Sequence, residues 1–259
     1  MENLLNFEVF DKGNNEKTVI IAHGLFGSLK NWRNIAKYLA DLGYQVVVVD
    51  MRNHGLSFWN DSHRYEDLAD DLRKVIMKFG NFADVVGHSM GGKAAMTLSL
   101  LYPECVNRLV VVDIAPVSYE HNQLDYISTM ESVNLDLVKT RKELNDQLSH
   151  GIESPALRAF FCQNVDFSDV TKKNWVLNLR ALRKNMPAIM QFPKLKRCNR
   201  SPTLILRGAL SEYVIDDYIS AIEHYFPNYI LSTIHNSGHW LHSEQSEEFK
   251  NHLFSFLTV

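Results

Sequence analysis

Near-continuous runs of β-branched residues, separated by stretches of helical period, constrain this chain more than any other feature. "TVIIAHG" (18–24), "QVVVVD" (45–50), "FADVVGHS" (82–89), "RLVVVDIAP" (108–116), "PTLILRG" (202–208) and "NYILSTI" (228–234) read as strands. Val and Ile without polar alternation belong to strands covered on both faces, which implies a mostly parallel sheet with helices on either side. Amphipathic stretches near 29–42, 65–79, 90–102, 214–226 and 244–257 supply those helices. The alternation stops over 117–199, where "LDYISTMESV", "LDLVKTRKELNDQLSH" and "PALRAFFCQNV" carry helical period only. An unstructured connection of that length is disfavoured inside a compact domain. The expected class is α/β: a core of residues 1–116 and 200–259 built on a sheet of about eight strands, with a helical lid inserted at 117–199.

Charge and cysteine usage remove several function classes. A formal net charge of -3 offers no electrostatic basis for binding nucleic acid or an anionic membrane. The opening "MENLLNFEVFDKGNNEK" lacks the basic and apolar regions of a signal peptide, and no run approaches the roughly 18 apolar residues of a membrane span. A cytoplasmic protein without stable membrane association is expected. Cys105, Cys162 and Cys198 are odd in number and far apart, which fits neither a disulfide framework nor a CxxC metal site.

Chemistry enters with "VVGHSMGGKAAM", which sets Gly87-His88-Ser89-Met90-Gly91 between a buried strand and a helix. That is G-x-S-x-G in the context that gives it meaning, a sharp strand-to-helix turn presenting the serine. A serine hydroxyl needs a base within hydrogen-bonding reach. Of the eleven histidines, His239 in "HNSGHWLH" is the best placed, after the last strand and before the final helix. His63, His121, His150, His224 and His252 read as surface residues, His88 as packing beside the turn, His54 in "MRNHGLS" as bracing its loop, and His235 and His242 as supports for the loop around His239. An oxyanion also requires backbone donors. Met90 N–H supplies one, and "AHGLFGS" (22–28) the other, with Leu25 N–H favoured and Phe26 as the fallback.

Taken in order, "HGLFGSLKNW", "DMRNHGLS", "GHSMGGKAAM", "VVVDIAP" and "SGHW" resemble an α/β-hydrolase, and more narrowly the YbfF-type bacterial esterases and the related eleventh abhydrolase-domain proteins of mitochondria. The resemblance spans nearly the whole chain and is loosest between 117 and 199. It implies a serine hydrolase acting through an acyl-enzyme on a small-molecule acyl ester or thioester, with no metal and no organic cofactor. An acyl-CoA thioesterase or an alcohol acyltransferase would use the same residues, and a non-catalytic binding protein could share the scaffold. Within 117–199, Phe160 and Phe161 join Phe26 and Trp240 as candidates to line a substrate pocket.

In enzymes of this kind the third residue past the glycine of "LILRG" is usually the acid that holds the histidine; here it is Ser211. The order serine, acid, histidine leaves Asp113, Glu212, Asp216 and Asp217 as candidates. Asp113 ends "RLVVVD" and so emerges at the sheet edge where Ser89 lies. Glu212 is one position beyond the usual acid, and Asp216 and Asp217 read as the first turn of a helix, where carboxylates favour the dipole. Asp113 is therefore preferred over Glu212, with Ser89 as nucleophile and His239 as base. The resemblance points the same way, since related sequences tend to carry serine where Ser211 stands.

Overall fold

The computed structural model describes residues 3–13, 17–168 and 173–258; within the expected insertion, 169–172 lie outside this set. Seven strands form the main sheet: β1 (Phe7–Phe10), β2 (Thr18–Ala22), β3 (Gln45–Val49), β4 (Ala83–His88), β5 (Val106–Val112), β8 (Thr203–Gly208) and β9 (Tyr229–Ile234). Their order across the sheet is β1-β3-β2-β4-β5-β8-β9. All pairings are parallel except that of β1 with β3. Seven strands among the described residues fit the expected sheet of about eight. Six of the seven are the valine-rich runs, and only the short half-buried edge strand β1 adds to them.

Helices α1 (Arg33–Asp41), α2 (Tyr65–Phe79), α3 (Met90–Leu101), α8 (Ile219–Tyr225), the single turn α9 (Leu241–Glu244) and α10 (Ser246–Thr258) connect or follow these strands. Apolar side chains from the two faces of the sheet divide into two cores. Val47, Val49, Val85, Leu109 and Val111 pack toward α2 and α3. Val46, Val48, Val86, Val110 and Val112 pack with α1 and α10 residues such as Leu39 and Leu253. The period-2 alternation of side chains across each strand produces this division.

Between β5 and β8 the chain forms α4 (Leu124–Ser132), α5 (Arg141–Leu148), α6 (Pro155–Cys162) and α7 (Leu179–Met190). A two-residue ladder between β6 (Val165–Asp166) and β7 (Asn174–Trp175) is its only described strand pair. Thr140, Ser154 and Asn178 cap α5, α6 and α7 through their side chains, which is why these helices start where they do.

β2 lies between β3 and β4, so the sheet reverses its winding there, and the carboxyl ends of β2 and β4 open a crevice in which such folds place ligands. The loop after β2 and the turn after β4 meet at that crevice, and backbone contact holds them together. A Cβ on Gly87 would overlap the Gly91 carbonyl, and one on Gly91 would overlap the carbonyl of Ala22 at the end of β2. We expect Gly91→Ala to lower stability by about 1–3 kcal/mol through this overpacking; a urea midpoint equal to wild type would show that the two segments can separate freely.

Candidate active site

Ser89 sits at the turn between β4 and α3 with φ 52 and ψ -118, a conformation that L-residues rarely adopt. The turn continues the sheet, with Ser89 N–H donating to Val112 O at 3.0 Å. Such strain is characteristic of a nucleophile turn, where it lifts the hydroxyl clear of the strand. Ser89 and His239 both line a cavity of about 560 Å³.

His239 is fixed from several sides. Its Nδ1–H donates to Asp113 Oδ2 at 2.8 Å, so that in the neutral ring Nε2 is the acceptor. Its carbonyl accepts from His88 Nε2–H at 2.9 Å. Glu244 accepts from the flanking N–H groups of Gly238 (2.6 Å) and Trp240 (3.3 Å). The Tyr213 ring stacks on the imidazole at 4.1 Å with an interplanar angle of 27°. Neither Glu244 nor Tyr213 stood out in the sequence. Tyr213 lies two residues past Ser211, but only folding turns its ring onto a loop beyond the next strand.

Asp113 is fully buried. Gly208 N–H donates to its Oδ1 at 3.0 Å, and Ser211 Oγ–H and His239 Nδ1–H both donate to Oδ2. Ser211, at the position where an acid is usual, thus serves as a donor to the carboxylate at the end of β5. Glu212 is exposed, and Asp216 accepts from Arg207 at 2.8 Å at the surface.

The loop after β2 carries Leu25 and Phe26, the two alternative donors. Gly27 N–H closes a turn on Gly24 O at 3.0 Å, and Phe26 N–H donates to His54 Nε2 at 3.1 Å. Phe26 N–H is therefore engaged within the fold, whereas among the described residues no acceptor is recorded for Leu25 N–H. His54 braces this loop as well as its own, with Nδ1–H donating to Arg52 O at 2.9 Å.

His63 corrects an expectation: it is buried, not at the surface. Its Nδ1 accepts from Asn53 Nδ2 at 3.2 Å, and its Nε2–H points to Met90 Sδ at 3.2 Å. Contacts from α3 and from Asn185 on α7, both distant in sequence, enclose it. His242 is buried too, stacked on Trp32 at 4.2 Å.

Phe26, Phe160, Phe161 and Trp240 all line the cavity. Phe26 meets Phe161 edge to face at 5.5 Å, and Phe160 tilts toward Trp240 at 6.1 Å. Lys93, not anticipated, also lines it. Its ammonium donates to Met190 O (2.9 Å) and Gln191 O (2.8 Å) at the end of α7 and lies 4.7 Å from the Tyr119 ring. Burial pushes this amine down to about 7. Among the described residues no cluster of His, Cys, Asp and Glu could hold a metal ion, and no helix is long and apolar enough to cross a membrane.

This chain belongs to the α/β-hydrolase family: a family model of the alpha/beta hydrolase fold matches residues 17–246. Among its relatives, the sn-1-specific diacylglycerol lipase ABHD11 of Mus musculus is 35% identical over 261 residues, covering 98% of this chain and 85% of the relative. Esterase YbfF of Escherichia coli (strain K12) is 31% identical over 235 residues, covering 90% of each. The solved structure of a marine microorganism esterase superposes with a TM-score of 0.93 at 35% identity, covering 98% of this chain and 100% of the other.

Burial holds five histidines around the site below their ordinary value of 6.5: His23, His54 and His88, and also His63 and His242, which fall to about 3. In the unfolded chain each takes up a proton near pH 6.5, whereas in the native fold each stays neutral to lower pH, His54, His63, His88 and His242 to much lower pH. The unfolded state therefore binds more protons across that window. Stability is complete above about pH 6.5 and falls as the pH drops toward about 3, by about 1.4 kcal/mol per pH unit for each histidine still neutral in the fold. Denaturant melts between about pH 7 and 4 should show this steep loss; a flat profile would mean that these rings are accessible to solvent protons.

Proposed function

We propose that the protein cleaves carboxylic esters through an acyl-enzyme, with Ser89 as nucleophile, His239 as general base and acid, and Asp113 as the carboxylate that holds the imidazole. The protein is a carboxylic ester hydrolase of the α/β-hydrolase family; the residue roles, the acyl-enzyme and the substrate class are the proposal. The observation that carries it is the 2.8 Å bond from His239 Nδ1–H to Asp113, which fixes the tautomer in which Nε2 accepts a proton, on the cavity that Ser89 also lines.

In this reading His239 Nε2 takes the Ser89 proton as Oγ bonds to the ester carbonyl carbon. The negative charge that develops on the carbonyl oxygen is met by the N–H groups of Leu25 and Met90. The imidazolium, stabilised by Asp113, gives its proton to the departing alcohol oxygen as the C–O bond breaks. Water then gives a proton to His239 Nε2 as its oxygen bonds to the acyl carbon, and that proton passes to Ser89 Oγ as the bond from Ser89 to the acyl group breaks and the acid leaves. Residues 117–199 act as a lid. Phe160, Phe161 and Tyr126 from this segment, with Phe26 and Trp240 from the core, give the cavity an apolar lining suited to the hydrocarbon part of an ester.

The deciding experiment pairs the nucleophile with the two candidate acids. Ser89→Ala should abolish labelling by a fluorophosphonate and lower turnover of a p-nitrophenyl ester by more than about a thousandfold. Asp113→Asn should cost several orders of magnitude, whereas Glu212→Gln should cost less than about tenfold. The reverse ranking would move the acid to the loop after β8. Replacing Phe160 by alanine should change the preference among acyl chain lengths while sparing acetate esters; equal loss on every ester would assign Phe160 to holding the fold of the lid.

A further inference from the structure

Phe26 has φ 61, in the left-handed region that favours glycine, at the third position of the turn closed by Gly27 N–H on Gly24 O. A turn with positive φ at this position ordinarily carries Gly or Asn there. Two buried side chains hold the phenylalanine in it. His54 Nε2 accepts its N–H at 3.1 Å, and Asn164 Nδ2 donates to its carbonyl at 2.8 Å. Asn164 is 2% exposed and belongs to the segment between β5 and β8, far from the loop in sequence. Its own backbone is tied down, with its N–H donating to Phe161 O at 2.9 Å and its carbonyl accepting from Val176 N–H at 2.8 Å.

The same segment reaches the other side of the site. Asn178 donates through its backbone to Asn53 O and through Nδ2 to Asn53 Oδ1, each at 3.0 Å. Asn53 in turn donates to His63, whose Nε2–H meets Met90 Sδ. One insertion thus braces the neighbourhood of both backbone donors.

We propose that Asn164 is a positioning residue for ester hydrolysis: with His54 it clamps Phe26 in its left-handed turn and so aims the N–H of Leu25 at the oxyanion. The inference rests on the roles assigned to Leu25 and Met90 above. Release of the clamp lets Phe26 relax to a negative φ, which rotates the Leu25–Phe26 peptide and disturbs the turn that presents Leu25 N–H. His54 can accept only while Nε2 is unprotonated, and its burial favours that state. The segment from β5 to β8 then contributes to the chemical step as well as to the shape of the cavity.

Steady-state kinetics of Asn164→Ala on p-nitrophenyl acetate test this. The variant should lose about tenfold to a hundredfold in kcat with KM changed less than about threefold. Inhibition by a trifluoromethyl ketone, which forms the oxyanion, should weaken in parallel. Phe26→Gly, which adopts the turn without a clamp, provides the discriminating background: adding Asn164→Ala to it should cost less than about threefold in kcat. Asn164→Leu, of similar size but lacking the donor, should behave as Asn164→Ala and serves if the alanine variant misfolds. An unchanged kcat, a rise in KM alone, or the same loss in the Phe26→Gly background would overturn the proposal. Fluorophosphonate labelling of Ser89 in the wild-type protein separates that result from failure of the hydrolase reading itself.

Discussion

A carboxylate cut off from solvent has to be met by donors, and at Asp113 three separate parts of the chain supply them: the end of β8 through Gly208, the following loop through Ser211, and the loop after β9 through His239. Leaving such a charge unpaired would cost several kcal/mol. The requirement therefore binds these loops to the end of β5 and gives the imidazole a single orientation. Asp113 itself has φ 51, and its N–H donates to Leu206 O at 2.8 Å, so the carboxylate turns into the site while the sheet bonding is retained. Ser211 is part of the same arrangement. With a second carboxylate in its place, two like charges would share one imidazole; the hydroxyl instead supplies a proton.

Behind the loop after β2 the solution is different, because three histidines held neutral by burial do the joining. His23, His54 and His63 each accept at one ring nitrogen and donate at the other: His23 from Met51 N–H and to Gly24 O, His54 from Phe26 N–H and to Arg52 O, His63 from Asn53 and to Met90 Sδ. A buried imidazole satisfied on both nitrogens holds two segments together without adding a charge of its own. Lys93 is the exception on the far wall. Its ammonium meets backbone carbonyls at the end of α7 and an aromatic face rather than a carboxylate, and so fastens the helix after Ser89 to the place where the inserted segment returns to the core.

Much of this was readable in the sequence because it depends on local pattern. The six Val- and Ile-rich strands and the helices at 65–79 and 90–101 are legible from side-chain periodicity, and the serine turn from glycines that backbone packing demands. β1 was not legible, since a four-residue half-buried edge strand carries little pattern. His63 read as a surface residue because nothing nearby in sequence signals the contacts of α3 and α7 that bury it. Lys93, in an otherwise apolar helix, gave no sign of its partners, which lie 97 and 98 residues away.

By itself, then, the sequence determined an α/β sheet buried on both faces, a serine at a strained turn after a strand, and a histidine and an aspartate at ends of later strands. Those properties follow from which residues neighbour each other along the chain. Only the tertiary structure decided that β2 lies between β3 and β4 and so opens the crevice, that Ser211 donates to Asp113, that Phe26 N–H is taken by His54, and that Asn164 reaches back to the Phe26 carbonyl. Each of these joins segments well separated along the chain, and a hydrogen bond between such segments depends on how the layers pack, a property that no local pattern encodes.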